Sequence, residues 1–309
     1  MHNIKNVRIK LDMKEFEYKG KAMGTDFSIA IVCDSKGLAD KLADEAEKEI
    51  WDYEKLFSRF LPESELSRLN KEKEIVVSET FMKVALASRE LFFLTDGIFN
   101  PLFQIERLGY DKDFNRLDII SIKKNIEEYN TDFTSTVFDE KESIIILQKG
   151  QKLDFGGFLK GYLAEILCKE IKSSSKEIGG VIVNIGGDLY TQGLDANGKE
   201  FVFEIYNPIT KKDDILISIY NQALATSGTY KRNWKNGNLT IHHILDISGI
   251  QNPDTGVVSA SIISDSGAKS EAFAKVFISV GPKEAQKILK DDKMKYIIIK
   301  SDGKIIKNI

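Results

Sequence analysis

The sequence predicts a mixed α+β fold, a single compact domain of mixed sheets with flanking helices. Three observations point there. Short β-branched runs recur along most of the 309 residues. A handful of longer segments carry apolar residues at helical spacing. No Pro- or Ser-rich linker, internal repeat or low-complexity tract divides the chain, so residues 1–309 are expected to form one domain, with 1–13 a ragged N-terminus. In order, residues 14–34 alternate around Phe27-Ser28-Ile29-Ala30-Ile31-Val32 and predict strands. Leu38, Leu42, Ala46, Ile50, Tyr53 and Phe57 predict a helix, and a second runs from Glu79 to Thr95, stopping at Asp96-Gly97. Residues 103–133 are polar and mixed, with a loop at Asn130-Thr131-Asp132; Ser143–Leu147 reads as a strand and Asp154–Ile171 as a loop feeding a helix. Val181–Ile185 is a buried strand ending at Gly186-Gly187-Asp188. Strands follow at 201–206, 215–220, 239–245 and 258–263. Ser270–Val280 and Pro282–Leu289 are helical, and Tyr296–Ile306 is a hairpin turning at Asp302-Gly303.

The bulk numbers exclude several classes. A composition of 42% hydrophobic and 29% charged residues supports a large core. The net charge of −3 is spread over interspersed signs with no basic stripe, which argues against nucleic acid. Cys33 and Cys168 lack disulfide or metal spacing and read as small core residues. There is no leader-like apolar segment and no run near the roughly 20 apolar residues of a membrane span. The expected location is the cytoplasm, or outside it if a leader has been removed.

Two of the three histidines sit together in His242-His243-Ile244-Leu245-Asp246, and the third is His2. Histidine exchanges a proton near neutral pH. On a strand, neighbours face opposite sides, so one histidine points into a site and the other away; a buried His bonded to a backbone carbonyl is the alternative. Asp154-Phe155-Gly156-Gly157-Phe158-Leu159-Lys160-Gly161 brings backbone close to a ligand at a helix N-terminus, where phosphate is favoured. Lys160 could add charge there and Asp154 could accept hydrogen bonds. A tight strand-to-helix turn with a solvated lysine explains the same residues, and neither generic nucleotide-binding spacing is present. Gly186-Gly187-Asp188 is either a ligand-facing strand end or a β-turn. Ala225-Thr226-Ser227-Gly228-Thr229-Tyr230 reads as a hydroxyl-rich loop.

Taken in order, these clusters resemble the ApbE family of FAD:protein FMN transferases. Ala22-Met23-Gly24-Thr25 is similar to its opening strand. Phe57-Ser58-Arg59-Phe60 with Ser64–Asn70 resembles its S-x-[YF]-x-x-x-S-E-[IL] segment, and Asp96–Pro101 its G-x-F-[DN]-P turn. Asp154–Gly161 resembles D-[LF]-[GS]-[GSA]-x-x-K-G. Asn184–Asp188 resembles its Gly-Gly-Asp strand end, Thr226–Tyr230 resembles T-S-G-x-Y, and His243–Asp246 resembles H-I-[IL]-D. The resemblance implies an ApbE-like, T-fold-related domain. It implies an enzyme that splits FAD with Mg²⁺ and attaches FMN to a threonine of an acceptor flavoprotein, releasing AMP. Met23, Phe60, Ile98, Phe99, Asn100, Asp154, Lys160 and Ile244 would contact FAD, and His243 would be catalytic. Gly157 would offer a backbone oxygen near the metal, and Glu271, Ala274 and Lys275 fall on the metal-binding helix start.

The chain departs from the family pattern twice. The family's D-P-R-T-G after the histidine segment is replaced by Asp246-Ile247-Ser248-Gly249-Ile250, with Asn252-Pro253-Asp254-Thr255-Gly256 a little later. The family's A-D-x-x-A-T is here Ser270-Glu271-Ala272-Phe273-Ala274-Lys275, and a charged lysine accepts no hydrogen bond and ligates no metal. Either a weakened metal remains, or Lys275 supplies the charge itself, or it points to solvent. Two further readings follow: a flavin-binding protein without transfer activity, and an FAD pyrophosphatase releasing FMN and AMP to water.

Overall fold

The computed structural model describes residues 13–108, 129–231, 233–236, 239–290 and 293–309. His2, the N-terminal stretch before residue 13 that is expected to be ragged, and most of the polar segment 103–133 lie outside the described residues.

Strands β1 (Lys14–Ala22) and β2 (Thr25–Cys33) form a hairpin whose two loop residues, Met23 and Gly24, have φ of 54° and 66°. This left-handed pair matches the twist of a two-residue hairpin. Helix α1 (Lys36–Phe57) is capped by the Ser35 hydroxyl, which accepts from the Leu38 N–H, and it buries Leu42, Ala46, Ile50, Tyr53 and Phe57 at the predicted spacing. After α2 (Glu65–Glu72) and β3 (Glu74–Val76), helix α3 (Glu79–Leu94) stops where expected. There Gly97, at φ 80°, donates its N–H to the Phe92 carbonyl at 2.8 Å. Strands β4 (Val137–Asp139) and β5 (Ile144–Ile146) join β3 in a small sheet.

Helix α4 (Leu159–Ser174) precedes β6 (Gly180–Ile185) and β7 (Asp188–Gly193). Strands β8 (Phe201–Asn207) and β9 (Lys212–Ile219) pair as a separate ribbon, as do β11 (Asn233–Asn236) and β12 (Leu239–His242), with β10 (Ala223–Gly228) between the two ribbons in the chain. Strand β13 (Val257–Ser264), helix α5 (Gly267–Ile288), β14 (Lys295–Lys300) and β15 (Ile305–Lys307) complete the fold. The main sheet runs β1-β2-β6-β7-β10-β13-β14-β15, with antiparallel neighbours throughout. Helices α4 and α5 pack on it, over a core that includes the fully buried Phe81, Phe155, Phe158, Phe273 and Phe277. Cys33 and Cys168 are buried thiols, as expected. No described helix is long and apolar enough to cross a membrane.

Gly186-Gly187, at φ 67° and 99°, is the hairpin turn between β6 and β7, as one of its two readings has it, and the same turn lines a cavity. Two expectations change. Ala225–Gly228 is not loop but most of β10. Its hydroxyls are used across the sheet, Thr226 Oγ1 lying 2.8 Å from Ser261 Oγ of β13. The strand predicted over 239–245 ends at His242, so the alternation rule does not govern His243.

Helices α4 and α5 cross with almost no space between their backbones. A Cβ on Gly161 would lie 2.3 Å from the Gly267 carbonyl oxygen, and one on Gly267 would lie 1.9 Å from that of Gly161. Backbone cannot rotate away as a side chain can, so Gly267→Ala is expected to cost about 1–3 kcal/mol or more by overpacking. A denaturation midpoint equal to that of the parent chain would contradict the crossing.

Candidate active site

Two cavities meet behind this crossing. The first, of about 450 Å³, is lined by Met23, Phe57, Arg59, Phe60, Ile98, Phe99, Asn100, Asp154, Ile244 and Leu245 among others. The second, of about 780 Å³, is lined by Lys19, Lys21, Asn184, Asp188, Thr226, Ser227, Tyr230 and Lys231 among others. Gly156, Lys160, His243 and Lys275 line both. The β1–β2 turn, the loop after α3, the start of α4, the segment after β12 and the first turns of α5 therefore converge on one place. The start of α4 has no side-chain cap.

Two buried carboxylates, Asp188 and Glu271, meet two part-buried lysines, Lys160 and Lys275, at the junction. Lys160 Nζ lies 2.7 Å from Asp188 Oδ2 and also donates to Glu271 Oε1. Lys275 Nζ lies 3.1 Å from the same Glu271 oxygen and donates to the Glu271 carbonyl at 3.4 Å. Glu271 Oε2 accepts the Gly161 N–H at 2.9 Å, a bond that the glycine crossing makes possible. Glu271 is wholly buried and Asp188 is 4% exposed. Burial opposes ionisation of Glu271, but the Lys160 and Lys275 ammoniums prevail and hold its carboxyl down at about 2. Burial would lower the Lys160 pKa, yet Asp188 and Glu271 carry it above the ordinary lysine value. Burial and the Glu271 charge push the Asp188 carboxyl up, against the pull of Lys160. Burial draws Lys275 below the usual lysine range while Glu271 holds it toward the cation.

The two histidines separate cleanly. His242 is buried, and burial lowers its pKa to about 4, so it is neutral at pH 7. Its Nδ1 accepts the Ile244 N–H at 3.3 Å. His243 stands at the wall that both cavities share. One side chain fixes the backbone around it. Asn252 Nδ2 donates to the His242 and Ile244 carbonyls, each at 2.6 Å, and Asn252 Oδ1 accepts the His242 N–H at 2.9 Å. Asn252→Ala would strand three backbone groups and is expected to cost about 1–3 kcal/mol. Amide exchange at His242, whose N–H Asn252 accepts, should rise; unchanged protection there would show that the clamp is not needed.

Among the other predicted contacts, Asp154 Oδ1 accepts the Gly156 N–H at 2.8 Å, and Arg59 approaches Asp154 Oδ2 at 3.6 Å. Asn100 lines the first cavity, but its amide is engaged within the protein, donating to the Thr131 carbonyl and accepting from the Leu102 N–H, each at 2.9 Å. Phe60 is 44% exposed, with the Arg59 guanidinium 4.7 Å from its ring centroid. Arg59, Asp188 and Asn252 lie inside motifs named above, but the sequence assigns none of them a part in the site. Asp188 closes a Gly-Gly turn, where an acidic residue reads as turn chemistry, and its partner Lys160 lies far away in the chain.

The magnesium site implied by the resemblance is a different matter. Mg²⁺ demands near-octahedral oxygen ligands, and these residues do not fit it. Both Glu271 oxygens already accept hydrogen bonds, Gly157 and Ala274 can offer only neutral backbone oxygens, and the Lys275 ammonium has no lone pair and is bonded to the carboxylate an ion would use. Among the described residues no three His, Cys, Asp or Glu side chains group as a metal site.

The model of the ApbE family matches residues 23–298 of this sequence. The chain belongs to the ApbE family. A relative from Klebsiella pneumoniae (strain 342), named FAD:protein FMN transferase, is 22% identical over 280 residues, covering 87% of this chain and 84% of its own. The crystal structure of the ApbE protein from Thermotoga maritima superposes with a TM-score of 0.82 at 25% identity, over 96% of this chain and 97% of that one. The flavin transferase ApbE from Vibrio cholerae gives a TM-score of 0.79 at 19% identity over the same shares. The mixed α+β architecture is thus the ApbE fold. The family membership expected from the ordered motifs holds, including across the two departures at Asp246–Gly256 and Glu271–Lys275.

Proposed function

We propose that this chain transfers FMN from FAD to a threonine hydroxyl of an acceptor flavoprotein and releases AMP. The observation that carries the reading is the junction: one cavity walled by apolar and aromatic side chains, a second walled by polar ones, and Lys160, Lys275 and His243 between them. FAD is a ligand of that form, with flat rings for an apolar cavity and a pyrophosphate for fixed ammoniums. Met23, Phe60, Ile98, Phe99, Asn100, Asp154 and Ile244 hold the dinucleotide, and Lys160 meets its phosphates. The second cavity admits the acceptor.

Phosphoryl transfer relies on positioning and on neutralising charge. The threonine oxygen bonds to the phosphorus of the FMN half while the bridging P–O bond to AMP breaks. The hydroxyl proton passes to His243, which is placed to act as general base. No step is assigned to a divalent ion, because Gly157, Glu271, Ala274 and Lys275 do not form its cage.

The test is acceptor dependence. AMP released from FAD should appear in step with covalent flavin on a threonine-bearing acceptor domain, and should be negligible when the acceptor is omitted. AMP and FMN formed at equal rates without acceptor would overturn transfer in favour of hydrolysis. Tight FAD binding with no AMP under either condition would point to a flavin-binding member without transfer.

A further inference from the structure

A phosphate-bearing ligand at the junction needs positive charge fixed where the cavities meet, and two ammoniums are already there. Lys160 is pinned from two sides, by Asp188 at 2.7 Å and by Glu271. Lys275 hydrogen-bonds to Glu271, through its carboxylate at 3.1 Å and its carbonyl at 3.4 Å. Each ammonium has three N–H donors, and two of each are committed among the described residues; both lysines line the two cavities. The two carboxylates balance the two lysines, so the cluster has no surplus negative charge to attract a further cation. An ion bound to Glu271 would have to displace the Lys275 ammonium or sit against it. The stem of Lys275 also passes over the glycine loop: a Cβ on Gly157 would lie 3.8 Å from Lys275 Cδ.

We propose that the Lys275 ammonium is the resident cation of this site, standing where a divalent ion would meet Glu271, so that the chain binds the pyrophosphate of FAD without a divalent metal. The inference rests on the flavin reading and concerns only how the phosphates are neutralised. A covalently attached cation cannot be chelated, which separates it from a bound ion.

The experiment is FAD binding to the purified full chain, followed by flavin fluorescence in excess EDTA and in millimolar magnesium chloride. The Kd is expected to agree within about twofold between the two buffers. Calorimetry with manganese chloride alone should give no binding at the junction. In Lys275→Thr, FAD affinity in EDTA should fall about tenfold, equivalent to about 1.4 kcal/mol, and magnesium should restore it. A parent chain whose FAD affinity falls tenfold in EDTA and recovers with magnesium would overturn the resident cation and leave the flavin reading intact. Absence of FAD binding in both buffers would overturn the flavin reading and the inference with it. The comparison on the parent chain holds whether or not the variant folds.

Discussion

Glu271→Ala is expected to destabilise the fold by about 3–5 kcal/mol, because it removes one partner from a buried charge cluster. Glu271 is wholly buried and serves three donors: Lys160, Lys275 and the Gly161 N–H. After truncation Lys160 keeps Asp188, whereas Lys275 loses its ion-pair partner and the Gly161 N–H loses its acceptor. Glu271→Gln, which keeps oxygen and shape but not charge, should fall between the two. The same carboxyl contributes stability that depends on pH. Its pKa is depressed in the fold to about 2 from 4.5, so its contribution is complete above pH 4.5 and is lost as pH falls toward 2. Urea midpoints at pH 7 and pH 3 should therefore differ more for the parent chain than for Glu271→Ala. Equal stabilities of parent and Glu271→Ala at pH 7 would mean that the cluster contributes nothing net.

His243→Ala is expected to lower transfer by about 10²–10⁴-fold, the usual contribution of a general base, with FAD affinity and unfolding midpoint close to those of the parent. His243 is only part-buried and lies at the wall between the cavities, so truncation leaves no core void. His242 cannot take over: its ring is buried, neutral, and accepts the Ile244 N–H. The two substitutions should thus separate, His242→Ala acting on stability and His243→Ala on turnover. Unchanged turnover in His243→Ala would remove it from the mechanism.

Local signals reached much of this fold. The spacing of Leu42, Ala46, Ile50, Tyr53 and Phe57 gave α1, and Asp96-Gly97 marked the end of α3 because both residues adopt positive φ there. Pairing across the sheet was harder to see. Thr226-Ser227-Gly228 has turn-like composition, yet it is a strand because β13 lies beside it and satisfies its backbone. The strand through the histidines ends early because Asn252, ten residues on, captures the backbone beyond His242. In the site, Lys160 and His243 were legible from their motifs, and their shared wall needed the fold. Lys275 left three readings open in the sequence; its ammonium lies against Glu271, so the solvent-facing one drops out. Asp188 went unremarked as a charge partner because only the β6–β7 turn and α4 bring it to Lys160.

The most direct test of the central claim is the intact mass of a threonine-bearing acceptor domain after incubation with this protein and FAD. Magnesium is included, so that the outcome does not depend on the role of Lys275. A gain of one FMN, absent when the target threonine is replaced by alanine, is the predicted result. An acceptor of unchanged mass beside intact, bound FAD would contradict transfer.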